Sequence, residues 1–243
     1  MQGVWRELAG LVLPVDCAGC GRPRTELCAE CRRVLARDGR GARRVRPWPQ
    51  PVGLPRVWAG APYADEVRAV LLAHKERGAL RLAGPLGAVL AGAVRGLRAG
   101  GGPLLLVPVP SARRSVAGRG HDPVRRIALA AAGELRRAGP GARVLAVLRQ
   151  RRAVADQAGL SARQRLANVT GALEVRAGAG RLLAGRSAVL VDDLVTTGAT
   201  LAEAARAVTE AGGRVAGAAV VAAAPGRAFE VDGARTEALP RRK

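Results

Sequence analysis

Residues 189–200 read Val189-Leu190-Val191-Asp192-Asp193-Leu194-Val195-Thr196-Thr197-Gly198-Ala199-Thr200. A run of apolar residues leads into two adjacent carboxylates, and a loop of small residues follows. A continuous apolar run is typical of a strand that is buried on both faces of a parallel sheet. We therefore predict a strand over residues 187–191, a loop that carries the threonines, and a helix over residues 200–211 that Gly212 and Gly213 close.

Ligands of open α/β sheets bind at the carboxyl ends of the strands, where these polar residues are expected. The N-terminus of a helix offers unpaired amides and the positive end of the helix dipole to a phosphate. The hydroxyl groups of the three threonines add donors, and Gly198 lets the backbone approach a ligand closely. Asp192 and Asp193 can accept hydrogen bonds from the vicinal hydroxyls of a ribose. The pattern predicts a site for a phosphorylated sugar; the alternative is a strand end whose carboxylates only cap the helix.

Helical and strand patterns alternate on both sides of this segment. Apolar spacing predicts further helices over residues 64–76, 80–97, 123–137 and 161–168. Apolar runs predict further strands over residues 104–109, 143–148 and 214–223. Asp122 and Ser161 are residue types that cap helix N-termini. The alternation predicts an α/β fold, a doubly wound parallel sheet flanked by helices.

The four cysteines of the chain are Cys17, Cys20, Cys28 and Cys31. Their spacing, C-x2-C-x7-C-x2-C, provides two pairs of thiolates, and a tetrahedral zinc ion needs four soft ligands at about 2.3 Å. Four protein sulfurs leave no open coordination position, so we predict a structural zinc ion. Two disulfides, which require an oxidising compartment, and a redox-active pair are the alternatives.

A short helix is predicted over residues 28–37, and a connector rich in Gly, Arg and Pro over residues 39–55. The chain accordingly divides near residue 55. Residues 1–55 form a zinc-binding segment with its linker, and residues 56–243 form the α/β domain.

The chain has 243 residues and a formal net charge of +21, from 40 basic and 19 acidic side chains. Such a charge favours polyanionic partners, whether nucleic acid, polyphosphates or an anionic surface. Aromatic residues make up only 2% of the chain, which argues against strong base stacking on single strands. No apolar run reaches the ~18 residues of a membrane span, and the N-terminus does not resemble a signal peptide. We expect a cytoplasmic protein without a membrane span.

Residues 189–200 resemble the 5-phosphoribosyl 1-pyrophosphate (PRPP) motif of type I phosphoribosyltransferases. With the cysteine pairs ahead of that motif, the chain resembles the ComF family of competence-associated, phosphoribosyltransferase-like proteins over nearly its full length. Further matching stretches are residues 105–111, the Arg119-Gly120 pair, and residues 157–169 with Gln157, Leu160, Arg165 and Asn168 at the family's spacing. The resemblance implies a type I phosphoribosyltransferase-like sheet with a small N-terminal zinc subdomain.

The resemblance also implies roles for the matching positions. Asp192 and Asp193 would hold the ribose hydroxyls and could stabilise positive charge on the ribose. The 5-phosphate would lie against Thr196, Thr197, Gly198, Ala199 and Thr200. Pyrophosphate would lie against Pro108, Val109, Pro110 and Ser111, with Arg113, Arg114 and Arg119 placed to neutralise it. Mg²⁺ would accompany PRPP, held mainly by that ligand's own oxygens.

Two positions depart from the family pattern. The Arg-Gly pair is followed by His-Asp-Pro at 121–123, where the family usually has Phe-Asn-Gln. His121 could stack, hydrogen-bond or act as an acid or base, or simply precede a capped helix. The family's Lys-aromatic-x-Gly becomes Lys-Glu-Arg-Gly at 75–78, so Lys75 is either an anion contact or a charged helix end. His74 is assigned to helix packing or to the surface.

Two functions follow from these features. The first is a Mg²⁺-dependent phosphoribosyltransferase whose acceptor the sequence does not reveal. The alternative is a DNA-handling protein of natural transformation or repair, with single-stranded DNA or competence and recombination proteins as partners. A third reading is a zinc-stabilised partner-binding protein with a vestigial site, against which the intact Asp-Asp and Thr-Thr-Gly elements count.

Overall fold

The computed structural model describes residues 16–97, 103–111, 120–139, 141–154 and 161–224. Within these residues the strands are β1 (Arg43–Val45), β2 (Val57–Pro62), β3 (Leu104–Pro108), β4 (Ala142–Val144), β5 (Leu148–Gln150), β6 (Leu173–Val175), β7 (Ser187–Val195) and β8 (Arg214–Ala223). Six of them form one sheet in the order β1-β2-β8-β7-β3-β4, and β5 pairs with β6 in a second, two-stranded sheet.

The large sheet is parallel from β2 to β4, and β1 is added antiparallel at one edge. The helices are α1 (Ala29–Arg40), α2 (Asp65–Glu76), α3 (Ala83–Gly96), α4 (Pro123–Ala138), α5 (Ala162–Val169) and α6 (Ala199–Glu210). Single 3-10 turns occur at Leu80–Leu82 and Gly180–Leu182. The predicted fold class, a mostly parallel α/β sheet flanked by helices, is confirmed.

Two apolar cores lie on the two faces of the sheet because successive strand residues point to opposite sides. Leu106 and Val189 pack into the core that contains α2, α3 and α4. Val107 and Leu190 pack into the core that contains α6 and the β5–β6 pair. Both faces of the central strands are thus buried, which is why those strands read as continuous apolar runs.

The edge of the sheet differs from the prediction. Residues 39–55 were expected to be a connector, yet β1 lies within them and pairs with β2, a strand that the sequence patterns did not indicate. β1 is only three residues long, and its side chains go from exposed at Arg43 to buried at Val45. A strand of this length between prolines and arginines leaves almost no periodicity to detect. The boundary near residue 55 stays a prediction.

The strand predicted over residues 143–148 is wrong as a single element. β4 ends at Val144 and β5 begins at Leu148. Between them the Leu145 amide donates to the Leu106 carbonyl, and the Val147 amide donates to the Leu145 carbonyl. The chain therefore turns away from β3 and pairs with β6 instead. Within the described part of the chain, no helix is both long and apolar enough to cross a membrane.

Candidate functional site

The two carboxylates lie inside β7 and not beyond its end. β7 continues to Val195 because β8 offers it partners as far as Ala223. The strand prediction that stopped at Val191 was therefore too short. Asp193 is buried with 6% of its surface exposed, whereas Asp192 is partly buried. The two carboxyl groups still interact with each other, because the charge of Asp193 acts on Asp192.

Lys75 joins the carboxylates from the end of α2. Its Nζ donates to Asp193 Oδ2 at 2.9 Å, across 118 residues of sequence. The charge of Asp193 raises the pKa of Lys75, against the opposing effect of burial. The Lys75 side chain keeps 38% of its surface exposed and that of Asp193 keeps 9%. One predicted anion contact is thus placed directly at the predicted ribose site.

Asp192 is the acid that resists ionisation in the free protein. Burial raises its pKa well above the usual value, and the neighbouring charge of Asp193 raises it further. Lys75 and a hydrogen bond from the Asp193 amide to Asp192 Oδ1, 2.8 Å long, act in the opposite direction. The pair therefore combines a carboxylate in an ion pair with a carboxyl group whose pKa is raised.

The threonine loop follows β7 at once and opens α6. Gly198 has φ 77°, in the left-handed region, and is the N-cap residue of α6. The Ala199 amide lies 3.5 Å from Thr197 Oγ1, and α6 begins at Ala199, one residue before the predicted start. The side chain of Ala199 is buried, so this residue can offer a ligand only its backbone. Such a helix N-terminus suits a phosphate.

Leu54 and Pro47 pack against Gly198, a contact that the sequence analysis did not predict. A Cβ atom at this position would lie 2.9 Å from Leu54 Cδ2 and 3.3 Å from Pro47 Cγ. Residues of the predicted connector therefore pack directly on the threonine loop. Trp48, which follows Pro47 in the sequence, is 79% exposed. Only the compositional bias of the connector was visible in the sequence, and it carries no signal for this contact.

The loop after β3 lies next to the carboxylates. Pro108 pairs with Val191, and the Val109 amide donates to the Val191 carbonyl at 2.9 Å. Pro110 and Ser111 are partly exposed beyond this point. The structure thus brings the predicted pyrophosphate loop to the same end of the sheet as Asp192. Arg113, Arg114 and Arg119, like Gln157 and Leu160, lie outside the described residues.

The remaining candidate, His121, is buried beside His74, and only 9% of its surface is exposed. Asp122 follows it as the N-cap of α4 and accepts from the Arg125 amide at 3.1 Å, as predicted. Ser161 likewise caps α5, in a reciprocal arrangement with Gln164.

The four cysteines form a compact cluster. All four Sγ atoms lie within 4.8 Å of one another, and none of these cysteines is in a disulfide. Cys20 Sγ and Cys28 Sγ are 3.7 Å apart. A tetrahedron of sulfurs about 2.3 Å from a metal has corners about 3.8 Å apart, so the cluster fits a tetrahedral ion. A Cβ at Gly19 would lie 2.7 Å from Cys31 Sγ, which explains the glycine there.

Backbone amides in the cluster favour thiolate at Cys17. Burial raises the pKa of that thiol, but hydrogen bonds from the amides of Cys28, Cys20 and Gly19 outweigh it and lower the pKa to about 6. Burial raises the pKa of Cys31, which lies among the other sulfurs. Thiolate is the metal-binding form of cysteine, so the lowered pKa of Cys17 favours metal binding at that residue.

Residues 126–238 match the family model of the phosphoribosyl transferase domain. The chain contains a phosphoribosyl transferase domain. The matched region includes β7, the threonine loop, α6 and β8, and begins inside α4. Lys75, the loop after β3 and the cysteines lie before it. Comparison with curated proteins gave no match.

Proposed function

We propose that the protein binds PRPP and transfers its phosphoribosyl group to an acceptor, releasing pyrophosphate. The observation that carries the proposal is the Asp192-Asp193 pair of β7, which leads through the threonine loop into the N-terminus of α6 inside the matched domain. A carboxylate pair and a helix N-terminus of the kind that suits phosphate lie one loop apart, which supports the binding of a phosphorylated sugar.

Different residues of the site bind different parts of PRPP. The 5-phosphate binds the amides and hydroxyls of residues 196–200. The vicinal hydroxyls bind Asp192 and Asp193. The pyrophosphate lies towards Pro108–Ser111 and Lys75, with Arg113, Arg114 and Arg119 as further cations. Mg²⁺, held mainly by oxygens of PRPP, neutralises charge on the pyrophosphate when bound.

The proposed reaction is a displacement at the anomeric carbon. The bond from this carbon to pyrophosphate breaks, and its electron pair leaves with the pyrophosphate. A bond from the acceptor forms at the same carbon, and the acceptor loses its proton to water. The ribose passes through an oxocarbenium-like state, which a carboxylate of β7 stabilises. Most of the protein's contribution is positioning and charge neutralisation.

The cysteine cluster is proposed to hold one structural zinc ion. Cys17, Cys20, Cys28 and Cys31 supply four sulfurs, so no coordination position remains for a substrate. The combination of this cluster with a phosphoribosyl transferase domain supports the ComF type. A DNA-handling role remains the alternative, and it rests on the net charge and on the resemblance alone.

Calorimetric titration of PRPP with Mg²⁺ tests the proposal, with pyrophosphate release followed in the same samples. Replacing both carboxylates, Asp192→Asn with Asp193→Asn, should weaken PRPP binding at least about a hundredfold, because two charge-assisted contacts are lost. A matched control, Glu30→Gln with Glu134→Gln, removes two charges from surface ion pairs elsewhere and should leave affinity unchanged. Equal affinity in the wild type and the Asn variant would refute the site.

A further inference from the structure

The chain has only two histidines, and their rings lie close together. His74 lies in α2 and His121 lies just before α4, 47 residues further along the chain. Their ring centroids are 5.8 Å apart, with the ring planes tilted by 58°. His74 is 1% exposed and His121 is 9% exposed. A polar ring is buried at a cost in free energy unless hydrogen bonds replace its contacts with water.

The hydrogen bonds of His74 join two helices. Its Nδ1 lies 3.2 Å from the carbonyl oxygen of Ala79, just after α2, and its Nε2 lies 3.4 Å from that of Pro123, the first residue of α4. His121 Nε2 lies 3.4 Å from the carbonyl oxygen of His74 itself. Because a carbonyl only accepts, His121 Nε2 donates in that contact. Ring and backbone of His74 are therefore both tied to the segment that begins α4.

Burial lowers the pKa of His74, and electrostatic interactions with His121 and Arg126 act in the same direction. A neutral imidazole carries one N–H, so His74 donates to one of its two carbonyl neighbours at a time. In this form the ring adds no positive charge beside Lys75.

The residue after His74 is Lys75, whose Nζ reaches Asp193 Oδ2 at 2.9 Å. Any rotation or shift of the last turn of α2 moves this ammonium group relative to β7. The half-exposed lysine side chain is flexible on its own, so its position depends on where its backbone is held. His121 contacts the backbone carbonyl of His74, and His74 directly precedes Lys75.

We propose that His74 and His121 are positioning residues for the phosphoribosyl site: together they fix the end of α2 against the start of α4, so that Lys75 is held at Asp193. The role in PRPP binding rests on the proposed function, whereas the effect on the Lys75–Asp193 contact does not.

A ligand-free measurement tests the contact first. The chain has two lysines, Lys75 and Lys243, so labelling lysine with ¹³C at Cε gives two NMR signals. The Lys75 signal is assigned by its loss in Lys75→Met, and Asp193→Asn gives its position without the ion pair. In His74→Leu the Lys75 signal should move towards its position in Asp193→Asn. A signal that stays at the wild-type position would overturn the proposal.

PRPP titration tests whether the histidine acts through the lysine. His74→Leu should weaken PRPP binding on the order of tenfold in the wild type and have almost no effect in the Lys75→Met background, since interacting residues are not additive. The same loss in both backgrounds would show a general structural effect and contradict the proposal. If the wild type binds no PRPP, the proposed function fails while the NMR result still decides the positioning role.

Two further variants guard against misfolding of His74→Leu. His74→Gln keeps a donor and an acceptor near the ring positions and should shift the Lys75 signal less than His74→Leu does. His121→Leu removes the bond to the His74 carbonyl and should shift it in the same direction as His74→Leu. Leu72→Ala, on the exposed side of α2, is the control and should leave the signal in place. A shift in the control equal to that in His74→Leu would also overturn the proposal.

Discussion

Adjacent residues of one strand can differ sharply in their electrostatic surroundings. Asp193 is paired with Lys75 at 2.9 Å, whereas Asp192 is desolvated beside a second negative charge. Lys75 of α2 donates its hydrogen bond to Asp193, and its charge also acts on Asp192.

The raised pKa of Asp192 predicts how stability depends on pH. The folded protein holds the Asp192 proton at pH values where the unfolded chain, with a pKa near 3.8, has lost it. The contribution of Asp192 to the free energy of unfolding is therefore fully present below pH 3.8, and it is lost as the pH rises through the pKa of the folded state. Asp192→Asn should match the wild type at the lowest pH where both are folded and be more stable at pH 7.5.

Urea unfolding at several pH values measures the difference. Asp193→Asn is the comparison. This variant should not be more stable than the wild type at pH 7.5, because it loses the ion pair between Asp193 and Lys75. A difference between Asp192→Asn and the wild type that does not vary with pH would contradict the prediction.

At the scale of elements, long buried strands were predictable and short edge strands were not. β8 has the predicted bounds: nine small apolar residues follow Arg214, and this run is shorter than a typical buried helix. β2 contains Gly60 and ends in Pro62, both of which read as breakers. Yet a side chain at Gly60 would lie 2.5 Å from Val89 Cγ1, so the glycine is what lets α3 approach the sheet.

The end of β7 shows why the site was only partly predictable. The two adjacent charges of the acidic pair led us to end the strand at Val191, whereas β7 continues to Val195. Asp193 remains inside because Lys75 pairs with it from 118 residues away, and no local pattern reports such a distance. The meeting of the two histidines and the contact of Leu54 with Gly198 depend on tertiary packing in the same way.

Helix caps were predictable because capping is local, and α4 provides a test. Asp122 accepts from the Arg125 amide and lies 3.4 Å from Ser111 Oγ. Asp122→Ala should lower the free energy of unfolding by about 1 kcal/mol. Asp122→Ser, which retains a capping oxygen, should recover most of the loss. Urea unfolding of the three proteins measures both values, and equal losses in both variants would argue against the cap.

At the scale of the molecule, the cysteine cluster is continuous with the main core. Cys17, Cys28 and Cys31 are buried in the same apolar cluster as residues of α2 and α3. A Cβ at Gly19 would also lie 3.4 Å from Cβ of Glu66, in the first turn of α2. The segment that carries the cysteines therefore supports the helix that presents Lys75.

Removing the metal should consequently destabilise more than the N-terminal segment. Elemental analysis should find close to one zinc ion per chain. A chelator, or Cys20→Ser at the exposed ligand, should lower the thermal midpoint by about 5 °C or more, because binding free energy is folding free energy at such sites. The chelator should have little further effect on Cys20→Ser. A folded, metal-free wild type with an unchanged midpoint would refute the zinc assignment.

The exposed Trp48 gives the protein a built-in optical signal. Its indole stands in water next to Pro47, which packs on Gly198 of the threonine loop, whereas the ring of Trp58 lies against Gly96. Indole emission responds to the polarity of its surroundings, so an anion settling in the threonine loop should change the fluorescence of Trp48 more than that of Trp58. Ligands could then be screened by emission alone, without a dye or a coupled assay.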